Sequence, residues 1–161
     1  MKFEKVKFEC FKSDSIKNGF ENAEEAYDEI KLPVRKTKGS AGYDIRTPYP
    51  IEMYGGDRIV VPTGIKAKMD EGEVLLLVVR SSVGIKHGIV FSNGTGVIDS
   101  DYYSNDDNDG DIMLALWNSS SKLVKYEAGD RIAQGIFVNH GIVEDDDADG
   151  IRTGGIGSTR I

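Results

Sequence analysis

Val74-Leu75-Leu76-Leu77-Val78-Val79, followed at once by Arg80-Ser81-Ser82, is the stretch whose reading decides the fold. Its six side chains are apolar on both faces, three of them are β-branched, and Asp70-Glu71-Gly72 bounds the run with turn chemistry. That combination predicts a central strand buried on both sides. Working outward, glycine is frequent, 19 of 161 residues, and much of it falls between short apolar runs. Tyr54-Gly55-Gly56-Asp57, Pro62-Thr63-Gly64, Ser92-Asn93-Gly94 and Glu127-Ala128-Gly129-Asp130 all read as turns. Strands are predicted over 5–10, where Val6, Phe8 and Cys10 alternate with charges, and over 58–61, 74–79, 88–91, 112–117 and 131–138. Phe20, Ala23, Tyr27 and Ile30 recur at helical spacing, so one helix is predicted over 21–30, ended by Pro33. The pattern is that of a single all-β domain, a barrel or sandwich, carrying one short helix.

Composition narrows the function classes. Hydrophobic residues make up 39% and charged residues 29%, and no apolar run reaches the ~18–20 residues that cross a bilayer. Met1-Lys2-Phe3-Glu4-Lys5 has none of the apolar core of a secretory signal, so a cytoplasmic protein is expected. Cys10 is the sole cysteine and there are two histidines, too few for an intramolecular disulfide or a structural zinc site. A metal would sit on oxygen ligands or arrive with a ligand. The net charge of −7 argues against broad binding to nucleic acid or to an anionic membrane. Two stretches, 101–111 and 144–150, hold ten carboxylates and no Lys or Arg, which more than accounts for that charge. Both read as solvated loops, and the remaining cations are left free for one small phosphorylated ligand.

Four constellations carry chemistry. Arg80-Ser81-Ser82 places a guanidinium and two hydroxyls where the most hydrophobic strand emerges. Asn93-Gly94-Thr95-Gly96-Val97-Ile98-Asp99-Ser100-Asp101-Tyr102 reads as a β-hairpin, with 89–91 paired to 97–98 and its backbone offered to a planar ligand. Asp99 follows two β-branched residues, a partly buried setting that raises a carboxylate pKa and suits a general base. Ser40-Ala41-Gly42-Tyr43-Asp44-Ile45 is a Gly turn entering a strand, and Gly154-Gly155-Ile156-Gly157-Ser158-Thr159, between Arg152 and Arg160, has the backbone donors to wrap a phosphate. His87 lies between Ser81/Ser82 and Asp99 in sequence, but no Gly-x-Ser-x-Gly elbow supports a hydrolase triad; it reads as a packing residue.

Together with Gly129-Asp130-Arg131-Ile132-Ala133-Gln134, these segments resemble, in order and register, the five motifs of the homotrimeric deoxyuridine triphosphatases (dUTPases). The resemblance runs from about residue 33 to 158, and Gly-Val-Ile-Asp-Ser-Asp-Tyr is its most specific part. It implies a dUTPase-like β-barrel or jelly-roll domain over 1–143, with a helical insertion at 21–30 and an acidic loop at 103–110. A flexible linker and C-terminal arm would follow over 144–161. It implies hydrolysis of dUTP to dUMP and pyrophosphate, with Mg²⁺ held by the triphosphate and no direct protein ligand, in a homotrimer with shared sites. Asp99 would activate the water that attacks the α-phosphorus. Arg80, Ser81 and Ser82 would hold phosphates, Gln134 would hydrogen-bond the phosphates or the catalytic water, and Asp44 would support the site through Arg80 or a metal-bound water. Asn93, Gly96, Val97 and Ile98 would read the uracil edge, and Tyr102 would pack on the deoxyribose and exclude a 2′-hydroxyl. Arg152, Gly155, Ile156, Gly157 and Ser158 would close over the substrate, Arg152 on the γ-phosphate.

Three departures from the family pattern stand out. Ile156 occupies the place of a Phe that stacks on uracil, leaving Phe91 and His87 as stacking candidates. Arg160 stands where Gly is usual, and residues 103–110 insert polar and acidic residues after Tyr102, a surface offered to a protein partner. Deoxycytidine triphosphate deaminases share Arg-Ser-Ser, but they carry a catalytic Glu where this chain has Ala115.

Overall fold

In the computed structural model, which describes residues 1–150 together with Arg152 and Gly154, strand β6 (Glu73–Val79) lies inside a four-stranded antiparallel sheet. Its neighbours are β11 (Arg131–Asn139) and β8 (Gly96–Asp99), with β2 (Tyr43–Arg46) beyond β11. A second sheet orders β4 (Arg58–Pro62), β9 (Met113–Asn118) and β7 (Ile89–Phe91). Two-stranded ribbons pair β1 (Lys2–Lys5) with β5 (Ile65–Lys68), and β3 (Ile51–Met53) with β10 (Val124–Tyr126). The inward faces meet in one core in which Ile45, Leu75, Leu77, Ile89, Leu114, Leu116 and Ile132 are fully buried. Each such side chain contributes roughly 1.5–3 kcal/mol relative to exposure. The all-β class and the strands near 58–61, 74–79, 88–91, 112–117 and 131–138 are as the sequence predicts. The arm residues Gly155, Ile156, Gly157 and Ser158 lie outside the described residues.

Four expectations need correction. Strand β6 is central, but only Leu75 and Leu77 are deeply buried; Leu76 and Val78 alternate onto a half-covered outer face. The 5–10 strand is instead the end of β1 and the first turn of a helix, α1 (Phe8–Lys17). Its inward positions are Phe11, Asp14 and Ser15, so two polar residues stand where the helical period needs apolar ones. Ser15 Oγ donates to the Phe11 carbonyl and accepts from the Tyr49 hydroxyl, each at 2.7 Å, which makes a buried Ser tolerable. Helix α2 (Ala23–Asp28) is the helix expected over 21–30, somewhat shorter, and a third, α3 (Ser81–His87), follows Arg80 directly. The segments 89–91 and 97–98 do not form a two-stranded hairpin: β7 pairs with β9 and β8 with β6, so the Asn93-Gly94 turn, with Gly94 at φ 80°, carries the chain between sheets.

The fourth correction concerns the acidic stretch after Tyr102. It is not a solvated loop. Asn105, Asn108, Asp109 and Asp111 are all buried. Asp109 accepts from the Lys7 amide and pairs with Lys66, both at 2.8 Å, while Asp111 accepts from the Gly64 amide at 2.8 Å. The loop is thereby tied to the segment before α1 and to the turn ahead of β5. The stretch 144–150 is exposed throughout, as expected.

Candidate active site

The sheet register sorts the predicted site residues into two groups on one face. Gln134 stands opposite Asp44 on β2 and opposite Val78 on β6, whereas Asp99 on β8 stands opposite Val74. Directly opposed residues in an antiparallel ladder share a face, and residues an even number apart on one strand do too. Asp44, Gln134 and Asp99 therefore all project to the outer side. Along β6, Arg80 lies six residues beyond Val74, roughly 20 Å at the usual rise. Between the two ends runs an apolar cross-strand row, Ile136, Leu76 and Val97, of which Val97 is 57% exposed.

The group at the Arg80 end is a charge network. Asp44 Oδ1 forms an ion pair with Arg80 Nε and Oδ2 accepts from an Arg131 amino group, each at 2.9 Å, and the carboxylate is 14% exposed. A bulge between Arg131 and Ala133 makes this possible, because it turns both Ile132 and Ala133 into the core and leaves Arg131 facing Asp44. Arg131 is a residue the sequence reading left without a role. Its distance of three from Gln134 hid it, since only the bulge brings both to one side. Gly42 lies beside them: a Cβ there would sit 2.2 Å from Gln134 Oε1, so a larger residue would displace the Gln134 amide. Ser81 and Ser82 open α3 next to Arg80, whose carbonyl accepts from the Val83 and Gly84 amides at 2.9 Å.

At the other end, β8 leads through a 3₁₀ turn (Ser100–Tyr102) into the acidic loop. The Asp99 side chain is 52% exposed, so the partial burial expected for it does not occur within one chain. Arg152 donates to Asp99 Oδ2 at 2.6 Å and to Asp101 Oδ1 at 2.8 Å, and its guanidinium lies 5.9 Å from the Tyr102 ring centroid. Tyr102 is 6% exposed, and burial pushes its phenol up to about 12. Asn93 is exposed at the inter-sheet turn, and Gly96 packs so closely on Leu77 that a Cβ would meet it at 3.0 Å.

Neither stacking candidate reaches this surface from its own chain. Phe91 is 3% exposed in the core, and His87 Nδ1 lies 2.6 Å from the Tyr126 hydroxyl on β10. Among the described residues no three His, Cys, Asp or Glu side chains converge as a metal cage, and no helix is long and apolar enough to cross a membrane. The cleft lined by Ile30, Arg46 and Thr63 and the one lined by Phe20, Ala26 and Tyr49 contain none of the predicted site residues.

Comparison with known proteins bears on the family and the fold. The dUTPase family model matches residues 28–159, leaving β1, α1 and nearly all of α2 ahead of the match. The deoxyuridine 5′-triphosphate nucleotidohydrolase of Lactococcus lactis is 42% identical over 132 residues, 81% of this chain and 88% of its own length. The Escherichia coli K12 protein of the same name is 39% identical over 137 residues, 80% of this chain and 87% of its own. Among solved structures, the Streptococcus mutans dUTPase superposes with a TM-score of 0.68 at 44% identity, covering 73% of this chain and 91% of that one. A point mutant of the dUTPase from phage phi11 of Staphylococcus aureus, in which a structural Mg(II) ion is coordinated, shares the fold with a TM-score of 0.63 at 22% identity, covering 75% of this chain and 91% of that one.

Proposed function

This chain belongs to the dUTPase family, a family of enzymes, and from that premise we propose that it hydrolyses dUTP to dUMP and pyrophosphate at a site completed only between copies of the chain. The observation that carries the reading is the roughly 20 Å along β6 between Asp99 and Arg80. A triphosphate held by Arg80, Ser81, Ser82 and Gln134 of one chain would be far from that chain's Asp99, whereas a neighbour seated on the apolar row would bring its own Asp99 close. A closed homotrimer fits, since the row supplies the apolar contact and three-fold closure gives every chain the same two neighbours.

Within such a site the division of labour follows from the geometry. Asp44 fixes Arg80 and Arg131 so that Arg80's remaining donors face the phosphates without reorganising. Asp99 accepts a proton from water as the water oxygen bonds to the α-phosphorus; the bond from that phosphorus to the bridging oxygen breaks, and pyrophosphate leaves. Tyr102 packs on the deoxyribose. The turn and strand at Asn93, Gly96, Val97 and Ile98 present backbone groups to the uracil edge. Arg152, now on Asp99 and Asp101, moves to the γ-phosphate as the arm over 144–161, with Gly155, Ile156, Gly157 and Ser158, closes on the β domain over 1–143. The donor set suits a Mg²⁺ carried by the substrate, because both Asp44 oxygens are committed to arginines. Bound there, the ion neutralises phosphate charge. The proposed compartment is the cytoplasm, where the reaction would limit uracil incorporation into DNA and supply dUMP for thymidylate.

Pyrophosphate release measured with each deoxynucleoside triphosphate and with UTP, with and without Mg²⁺, tests this. Turnover confined to dUTP and dependent on the ion is expected; equal turnover of all substrates would refute it.

A further inference from the structure

The acidic loop after Tyr102 is built around that tyrosine. The Tyr102 hydroxyl donates to the Asp111 carbonyl and accepts from Asn108 Nδ2, both at 2.9 Å. At the other end of the residue, Asn105 Nδ2 donates to the Tyr102 carbonyl at 2.8 Å. The two asparagines are joined, Asn105 Nδ2 to Asn108 Oδ1 at 2.9 Å, and Asn108 Oδ1 also accepts from the Gly110 amide at 3.1 Å. Gly110, at φ 84°, lies so near that a Cβ would sit 2.8 Å from the Tyr102 carbonyl. The far side of the loop is held by Asp109 on Lys66 and the Lys7 amide.

Asn108 is 4% exposed, and the position calls for an amide. It donates to a phenol oxygen and accepts from two N–H groups at once, which Leu and Ala cannot do and an ionised Asp, having no donor, cannot do either. With two hydrogen bonds at its tip, the Tyr102 ring is fixed in depth and in rotation. Tyr102 is 6% exposed and the Arg152 guanidinium lies over its ring face, so a guest would take the place that Arg152 now holds. Excluding one hydroxyl group from a sugar is a steric task. A ring free to retreat by a fraction of an ångström would admit the extra oxygen at little cost.

We propose that Asn108 is a positioning residue for sugar selection: by holding the Tyr102 hydroxyl it keeps the ring where a 2′-hydroxyl cannot fit. This rests on the reading of Tyr102 as the residue that packs on the deoxyribose.

The test is the ratio of kcat/KM for dUTP over UTP in Asn108→Ala, Tyr102→Phe, the double variant and Tyr102→Ala. Loss of one buried hydrogen bond of this kind corresponds to roughly a 5- to 10-fold fall in the ratio, and in Asn108→Ala the fall is carried by KM, with kcat for dUTP little changed. Because Asn108 acts through the hydroxyl, the double variant should be no worse than Tyr102→Phe alone. Additive effects would overturn the proposal, as would an unchanged ratio in Tyr102→Phe while Tyr102→Ala collapses it. Should Asn108→Ala not fold, the Tyr102→Phe ratio decides alone. If Tyr102→Ala also leaves the ratio intact, the sugar-packing reading itself fails.

Discussion

Asp44 and Asp99 project from the same face of one sheet, yet they are held in opposite ways. Asp44 is 14% exposed and gives each oxygen to a different arginine, whereas Asp99 is 52% exposed and meets one guanidinium that belongs to the arm. A carboxylate with both oxygens committed to fixed cations can position but is poorly placed to take a proton. A carboxylate whose partner can leave is free to do so. On the proposed reading, this difference suits Asp44 to the supporting role and Asp99 to that of the base, at opposite ends of β6.

The comparison can be broken most severely at Asp44. In Asp44→Ala two guanidiniums face each other with their shared counter-charge removed, so kcat/KM should fall about 100-fold or more. Steady-state pyrophosphate release checks this, and a loss below about three-fold would mean that Arg80 is positioned by something else. A smaller effect is expected in the loop after Tyr102, where Asp111 is wholly buried and its Oδ2, like that of Asp14, has no hydrogen-bond partner among the described residues. Burial, and then the charge of Asp14, raise the Asp111 pKa well above the usual carboxylate range. The folded state thus holds this proton more tightly than the unfolded one. The stability it contributes is complete below the unfolded carboxylate pKa of about 3.9 and is lost as pH rises through the raised folded value. Asp111→Asn, neutral at every pH, should match wild type in acid and melt several degrees higher toward neutral pH, where wild type bears the roughly 1–3 kcal/mol cost of a strained buried acid. Parallel melting curves across that range would contradict the assignment. The least effect is expected from Arg152→Gln on folding. Its partners are more than half exposed, so thermal stability should move by no more than about 1 kcal/mol, and added salt should erase even that.

Most of the β scaffold was legible because its strands obey short rules: apolar runs between Gly turns, with burial alternating along β9 as Met113 to Asn118 show. Helix α1 was not, because Asp14 and Ser15 occupy inward positions, and their burial depends on Tyr49 and on the distant loop that carries Asn108. The loop over 103–110 misled for a related reason. A run of Asn and Asp reads as solvated unless one knows that Lys66, the Lys7 amide and Tyr102 wait to receive it. Asp44, Arg80 and Gln134, named through the family resemblance, lie together at one end of β6, while Arg131 required a bulge that no local pattern announces. The burial expected of Asp99 is missing within one chain; on the proposed reading, that surface needs a neighbour.

That need is the central claim, and mixed assemblies test it directly. Asp99→Asn and Arg80→Ala chains, each inactive alone, are unfolded together and refolded as an equal mixture, and dUTP hydrolysis is measured. If each site takes its base from one chain and its phosphate-holding arginine from another, about a quarter of the sites are intact and about a quarter of wild-type activity returns. If one chain supplied both groups, no mixture would recover activity, and the account of a site shared between copies would be wrong.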